Sequence, residues 1–142
     1  MAVSFKLIKK LNYFTLDVEF TMENELLVIE GSSGAGKTTI LNCLAGIITP
    51  DDGKITIDDK VLFSHTDKVN VTAEKRNIGY LFQNYALFPN MTVRENVLYG
   101  LKNKKVYRRK ATRKPMLEYA DNMMEMLGVA HLAKKNSTAI SG

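Results

Sequence analysis

A chain of 142 residues with 45% apolar and 25% charged residues has room for one ordinary core and the composition of a globular protein, not a disordered one. No apolar run reaches the roughly 18–20 residues of a membrane span, and the start, MAVSFKLIKKL, has neither the h-region nor the cleavage site of a secretory signal. The single cysteine, Cys43, excludes a disulfide framework and suits a reducing cytosol, where the three N-x-[ST] sequons at 70, 90 and 136 are chance matches.

In chain order, YFTLDVEFTM sets Phe14, Leu16, Val18, Phe20 and Met22 against Thr15, Asp17, Glu19 and Thr21, the period of a half-buried strand and one member of a short N-terminal strand pair. ELLVIE (25–30) is nearly continuously apolar, as a strand covered on both faces of a parallel sheet would be. It runs into GSSGAGKTT and a helical TTILNCLAGII. TPDDG (49–53) is a turn, KITIDDKVLF reads as two short strands about Asp58-Asp59, and NIGYLF (77–82) reads as another buried strand.

Farther on, Thr92-x-x-Glu95 predicts a capping box opening a helix. Residues 102–114 (KNKKVYRRKATRK) hold eight basic residues and no acidic one, while the rest of the chain carries 12 basic against 15 acidic. A nucleic-acid protein spreads its basic residues over a face or carries a reading module, so no nucleic-acid partner is expected. The run reads as a solvated connector, with anionic lipid headgroups as the sharper alternative. Met116, Leu117, Ala120, Met123, Met124 and Leu127 then fall on one helical face that Gly128 ends. His65 and His131 have no partner at metal-ligand spacing.

The chemistry is carried by GSSGAGKT (31–38), a G-x-x-x-x-G-K-[ST] loop with a strand pattern before it and a helix pattern after it. Gly31, Gly34 and Gly36 let the backbone wrap, so that the N–H groups of the loop, Ser32, Ser33 and Ala35 included, turn inward toward phosphate oxygens. The helix start at Lys37 adds unpaired N–H groups and a positive dipole end. Lys37 can reach the β- and γ-phosphates, the Thr38 hydroxyl can take a place on Mg²⁺, and Thr39 lies by the α-phosphate. This is a nucleoside triphosphate site, and ATP with Mg²⁺ is the expected cofactor pair.

Kinases, GTPases and transport ATPases share that loop. A P-loop kinase is disfavoured, because nothing resembles a lid or an acceptor site. EKRNIGYLFQNYALFPNMTVRENVLYGL (74–101), with TPDDGKITID and the P-loop, resembles the ATP-binding subunits of ABC-type importers over nearly the whole chain, most like those for molybdate or tungstate. Sulfate, ferric-iron and polyamine importers share much of the wording.

The resemblance implies an α/β P-loop NTPase core, its N-terminal half, with an antiparallel β subdomain, a helical subdomain and an incomplete parallel core sheet. It divides the chain into residues 1–88, the β subdomain and P-loop core with the glutamine loop, and residues 89–142, the helical subdomain. It implies Gln83 as the catalytic-site glutamine that contacts Mg²⁺ and the attacking water, and an aromatic residue stacked on adenine, Phe14 in preference to Tyr13. Tyr85, Leu87, Phe88 and Pro89, an apolar cluster in a loop, match the surface that receives the permease, here residues 83–95. Intramolecular packing of these side chains is the other reading. A homodimer of ATPase subunits, an indirectly linked substrate-binding protein and a peripheral place on the cytoplasmic face of the membrane follow from the same resemblance.

The chain closes on AISG. Ile140-Ser141-Gly142 resembles the first three positions of the family's LSGGQ signature, which would place Ser141 and Gly142 at the γ-phosphate of a partner subunit. The expectation is a cut inside that motif, with hydrolysis by this stretch alone negligible, since the water-orienting residues follow the signature. A truncated, non-catalytic nucleotide-binding or interaction module is the alternative.

Overall fold

The structure, a computed structural model, describes residues 2–102 and 105–140. It divides into two compact units, Met1–Tyr80 and Leu81–Gly142. The first is built on an antiparallel sheet of β1 (Ala2–Lys10), β2 (Thr15–Glu23), β3 (Asp52–Ile57), β4 (Lys60–Ser64) and β5 (Val69–Asn70), in the order β2-β1-β3-β4-β5. Alternation decides the inner face: Val3, Phe5 and Leu7 of β1 are buried, whereas Ser4 and Lys6 are exposed. Leu16, Ile55, Leu62 and Phe63 join them, and α1 (Lys37–Ala45) lays Ile40 and Cys43, one helical turn apart, on the same cluster. Leu7 and Ile55 are fully buried, each worth about 1.5–3 kcal/mol by area removed from water. The expected N-terminal strand pair is present, with Phe5 opposite Phe20 across the ladder and their rings 6.2 Å apart.

The turn at 49–53 is tied by one carboxylate. Asp51 accepts from Lys9 Nζ at 2.8 Å and from the Lys10 N–H at 2.7 Å, fixing how β3 enters beside β1. Gly53 follows at φ +111°, and a Cβ there would run into the carbonyl oxygen of Lys6. No other residue fits that approach of β3 to β1. The two strands about Asp58-Asp59 are β3 and β4. Asp58 sits in the left-handed region at φ +49° and accepts from the Ala2 N–H at 2.8 Å.

Two expected strands are not strands here. Residues 25–30 and 77–82 carry no ladder among the described residues, and Leu26 is 91% and Leu81 81% exposed. An apolar run becomes a buried parallel strand only when neighbours pair with both its edges, and no described strand lies beside either segment. The described sheet is antiparallel throughout.

The second unit is helical: α2 (Val93–Lys102) and α3 (Lys110–Met126). The capping box forms as expected. Glu95 accepts from the Thr92 N–H and hydroxyl at 2.9 Å each, and the Glu95 N–H donates to the Thr92 hydroxyl at 3.3 Å. Arg94 makes a two-pronged pair with Asp121 of α3, at 3.0 and 2.9 Å. Ala120 and Met124 are the buried residues of α3. Gly128 follows at φ +70°, but the predicted stripe ends early, because Leu127 is 69% exposed.

These carboxylates give the fold an acid limit. The Lys9 ammonium and the Lys10 N–H hold Asp51 below the usual carboxylate range, and the two Thr92 donors and the Arg94 guanidinium do the same for Glu95 and Asp121. A group whose folded pKa is depressed stabilises fully above its ordinary value, 3.8 for Asp and 4.5 for Glu, and that contribution is lost as pH falls through the folded value. Thermal midpoints are therefore expected to be level from pH 7 to about 5 and to fall below about 4. Asp51→Asn should lower the midpoint at pH 7 and leave less to lose at pH 3. An equal slope in both proteins would remove Asp51 from the account.

Candidate nucleotide-binding site

The loop between residue 30 and α1 turns on glycines at positive φ, Gly34 at +82° and Gly36 at +91°, the latter standing at the N-cap of α1. The first intrahelical bond shown runs from the Ile40 N–H to the Gly36 carbonyl at 3.0 Å. The N–H groups of Lys37, Thr38 and Thr39 lie ahead of it and point out of the helix end. No side chain caps that end, and its first turn holds no acidic residue. An uncapped positive end with three free donors suits an incoming anion.

Lys37 completes the cradle. Its ammonium donates to the carbonyls of Gly31 and Ser32, both at 2.7 Å, which curls the loop over its own cation and leaves the third donor of the ammonium for a phosphate. Ser32 and Ser33 form the exposed rim with Ala35, whose N–H returns to the Ser32 carbonyl at 3.2 Å. Thr38 is exposed and Thr39 half-buried.

The two aromatic candidates part company. Tyr13 is 97% exposed, whereas the Phe14 ring stands over the loop, its Cζ 3.6 Å from where a Cβ on Gly36 would be. The first unit thus gathers residues 31–39 and Phe14. Gln83 belongs to the second unit and lies exposed in a turn, and Ser141 and Gly142 lie outside the described residues.

Beyond Gln83 the loop is pinned by its backbone. Asn96 of α2 accepts from the Phe88 N–H at 2.8 Å and donates to the Phe88 carbonyl at 3.1 Å, and the Ser137 hydroxyl donates to that same carbonyl at 2.8 Å. Tyr85 and Ala86 both take the left-handed conformation, at φ +57° and +47°. With the polar backbone turned to α2, the apolar side chains are left outward: Tyr85 is 73% and Leu87 56% exposed. Phe88 packs against Tyr99 with the rings tilted and their centres 4.2 Å apart, and with Val97, Val129, Leu132 and Ile140 these side chains line an open groove of 560 Å³.

Sequence reasoning passed over three residues. No motif in the sequence singles out Asn96 or Ser137. Arg76 sits in the charged stretch EKRN and is nonetheless buried, its guanidinium donating to the carbonyls of Cys43, Leu44 and Val71 at 2.8 Å each and to Asn70 Oδ1 at 3.3 Å. It closes the C-terminal end of α1, whose N-terminus follows the glycine loop. Tyr80 adds a second tie, its hydroxyl donating to Asn42 Oδ1 at 2.6 Å.

A glycine loop curled on its lysine ahead of an uncapped helix defines a P-loop nucleotide-binding protein. The chain belongs to the ABC transporter family, whose ABC transporter model matches residues 15–142. It is 40% identical over 126 residues to the molybdate/tungstate import ATP-binding protein WtpC of Methanocaldococcus jannaschii, covering 89% of this chain and 39% of that one. The WtpC of Thermococcus kodakarensis is 42% identical over 127 residues, with 89% and 35% covered. The molybdenum import ATP-binding protein ModC of Vibrio parahaemolyticus is 34% identical over 143 residues, with 100% and 36% covered. The chain thus spans between 35% and 39% of the length of these three relatives.

Among solved structures, a dimeric ATP-binding cassette in a post-hydrolysis state bound to ADP and Pi superposes with a TM-score of 0.74 at 25% identity, covering 98% of this chain and 63% of that one. A nucleotide-free cassette from an ABC transporter gives 0.72 at 25% identity, with 99% and 58% covered. The expected P-loop NTPase fold of the ABC type is therefore the fold of this chain, in part of its extent.

Proposed function

We propose that these residues form the ATP-holding part of the energy-coupling subunit of an ABC importer for molybdate or tungstate. The observation that carries the reading is the cradle itself, with Lys37 curled onto the Gly31 and Ser32 carbonyls ahead of an uncapped α1. The ion is supported by the names of the relatives, which favour molybdate or tungstate over sulfate, ferric iron or polyamine. In this reading the loop N–H groups of residues 31–36 and the start of α1 bind the phosphates, and Lys37 neutralises them. Phe14 stacks on adenine.

Among the described residues no three His, Cys, Asp or Glu side chains gather as metal ligands. Mg²⁺, which takes few protein ligands beside nucleotide phosphates, would be held by the Thr38 hydroxyl, and would neutralise phosphate charge; in the whole protein Gln83 is its second expected ligand. Gln83 orients the water in the whole protein, where hydrolysis drives the permease. Ser141 and Gly142 serve the nucleotide of a second subunit. Residues 1–88 act as the β subdomain and nucleotide core and 89–142 as the helical subdomain. The pinned loop at 83–95 and its groove receive the permease at the cytoplasmic side of the membrane, the substrate-binding protein being linked only through that permease. No described helix is long and apolar enough to cross a membrane.

Calorimetric titration with ATP and Mg²⁺ tests the site. Saturable binding is expected, weakened about 5- to 100-fold by Phe14→Ala, the worth of one aromatic stacked on a base, and unchanged by Tyr13→Ala. No heat up to millimolar ATP would overturn the nucleotide reading. A loss confined to the Tyr13 variant would transfer the adenine contact to Tyr13.

A further inference from the structure

The chain keeps its charge in one place, and the fold holds that charge where it costs stability. Of the eight basic residues between 102 and 114, Lys102, Arg108, Arg109, Lys110, Arg113 and Lys114 have described side chains, all exposed. Arg109 is the N-cap of α3, Lys110 and Arg113 follow within its first turn, and that turn has neither an acidic residue nor a side-chain cap. Cations at the positive end of a helix are repelled by its dipole, and Lys110 repels Arg113 and Lys114 at three and four residues' spacing. Among the described residues the one ion pair these six make is Lys114 with Glu118, at 3.8 Å and open to water, which is worth little. The same unit handles charge differently elsewhere: Glu95 caps α2, and Arg94 is paired with Asp121. Among the described residues the cluster at the start of α3 has Glu118 as its one counter-charge, held loosely and in water.

Its place suggests where further counter-charge lies. Lys102 is two residues beyond Gly100, which with Tyr99 lines the apolar groove. Lys102 and Tyr107 then share a second hollow with Lys134. That hollow also holds Arg94 and Glu95, so the basic run begins at the end of α2, two residues from the lining of the groove, in a hollow where cations outnumber the one carboxylate. We propose that this basic face seats on the anionic phospholipid headgroups around the permease, so that the groove grips protein while the start of α3 grips lipid. The proposal rests on reading the groove as the permease's seat, since that is what sets α3 against the bilayer. Each basic residue near an anionic surface is worth about fivefold in partition, the conversion of roughly 1 kcal/mol.

The test is sedimentation of the chain with vesicles of phosphatidylcholine alone or containing phosphatidylglycerol, at 0.1 and 0.5 M KCl. Binding is expected to the anionic vesicles only, at least tenfold weaker in the higher salt, where the Debye length is short. The variant R108Q/R109Q/R113Q/K114Q should lose it by about 100-fold or more. It should melt no lower than the unaltered chain, because removing these cations relieves the end of α3, so lost binding is not lost folding. Leu87→Ser in the groove should leave vesicle binding as it was, and its failure to capture the permease would test the groove separately. Three results overturn the proposal: equal binding to both kinds of vesicle, undiminished binding by the four-residue variant, or an RNA oligonucleotide bound as tightly as the anionic vesicles in the same salt.

Discussion

Replacing Lys37 with alanine is expected to weaken ATP binding at least about 100-fold and to leave the thermal midpoint of the ligand-free chain within a few degrees. The side chain does two things at once. Its hydrogen bonds to the Gly31 and Ser32 carbonyls hold the loop curled, and in the proposed function its charge meets the phosphates. A charge-assisted hydrogen bond contributes about 1.5–3 kcal/mol, and loss of the curl adds the cost of ordering a glycine-rich segment on binding. The fold loses little, since the bonds are exposed and the carbonyls return to water. Lys37→Arg should not rescue binding, because a planar guanidinium cannot occupy the turn that a tetrahedral ammonium fits. A titration showing a loss of tenfold or less would remove Lys37 from the centre of the site.

Arg76→Met should act oppositely, with a large effect on stability and a smaller, indirect one on nucleotide. Methionine keeps much of the stem but strands the carbonyls of Leu44 and Val71, which both accept at 2.8 Å, and takes from Cys43 one of its two donors, leaving the Gly46 N–H at 3.2 Å. Each buried acceptor left unmet costs about 1–3 kcal/mol, so the loss should reach roughly 3 kcal/mol, or about 12 °C or more in the midpoint of a unit this size. Burial draws the Arg76 guanidinium below its usual pKa, yet it stays protonated. Its partners are neutral oxygens, and two of them, the Cys43 and Leu44 carbonyls, stand at the negative end of α1, where a cation is favoured. Gly46 must be small for the same reason, since a Cβ there would stand 2.5 Å from Arg76 Nε. Denaturant melts showing less than 1 kcal/mol of loss would mean that water satisfies these carbonyls.

The glycine loop ahead of α1 was legible in the sequence because its shape is a matter of backbone, with Gly34 and Gly36 at positive φ, and glycine spacing records backbone directly. The capping box at Thr92 and Glu95 and the strand pair at the N-terminus were legible because both partners of each contact are close in the chain. Residues 25–30 and 77–82 misled because an apolar run states that a segment is to be covered, not which strand pairs with it. Leu26 and Leu81 stand almost fully exposed for want of that neighbour. Arg76 was illegible for the complementary reason: its acceptors are main-chain carbonyls 32 and 33 residues away, and a carbonyl leaves no letter in the sequence. The resemblance offered Tyr13 as well as Phe14 and strand alternation left both open; in the structure the Phe14 ring stands beside Gly36 whereas Tyr13 is 97% exposed.

The strand order has a consequence for how the unit assembles. β1 pairs with β2 on one side and with β3 on the other, so the phosphate loop and α1 are a crossover stitched to the same strand at both ends. The β1–β2 hairpin closes locally and on a timescale of microseconds. Docking β3 must close the 28-residue span between Glu23 and Asp52, at an entropic cost of about 3 kcal/mol. The cradle is therefore expected to close after the β1–β2 hairpin, and a nucleotide bound in it to slow unfolding by holding that later step shut.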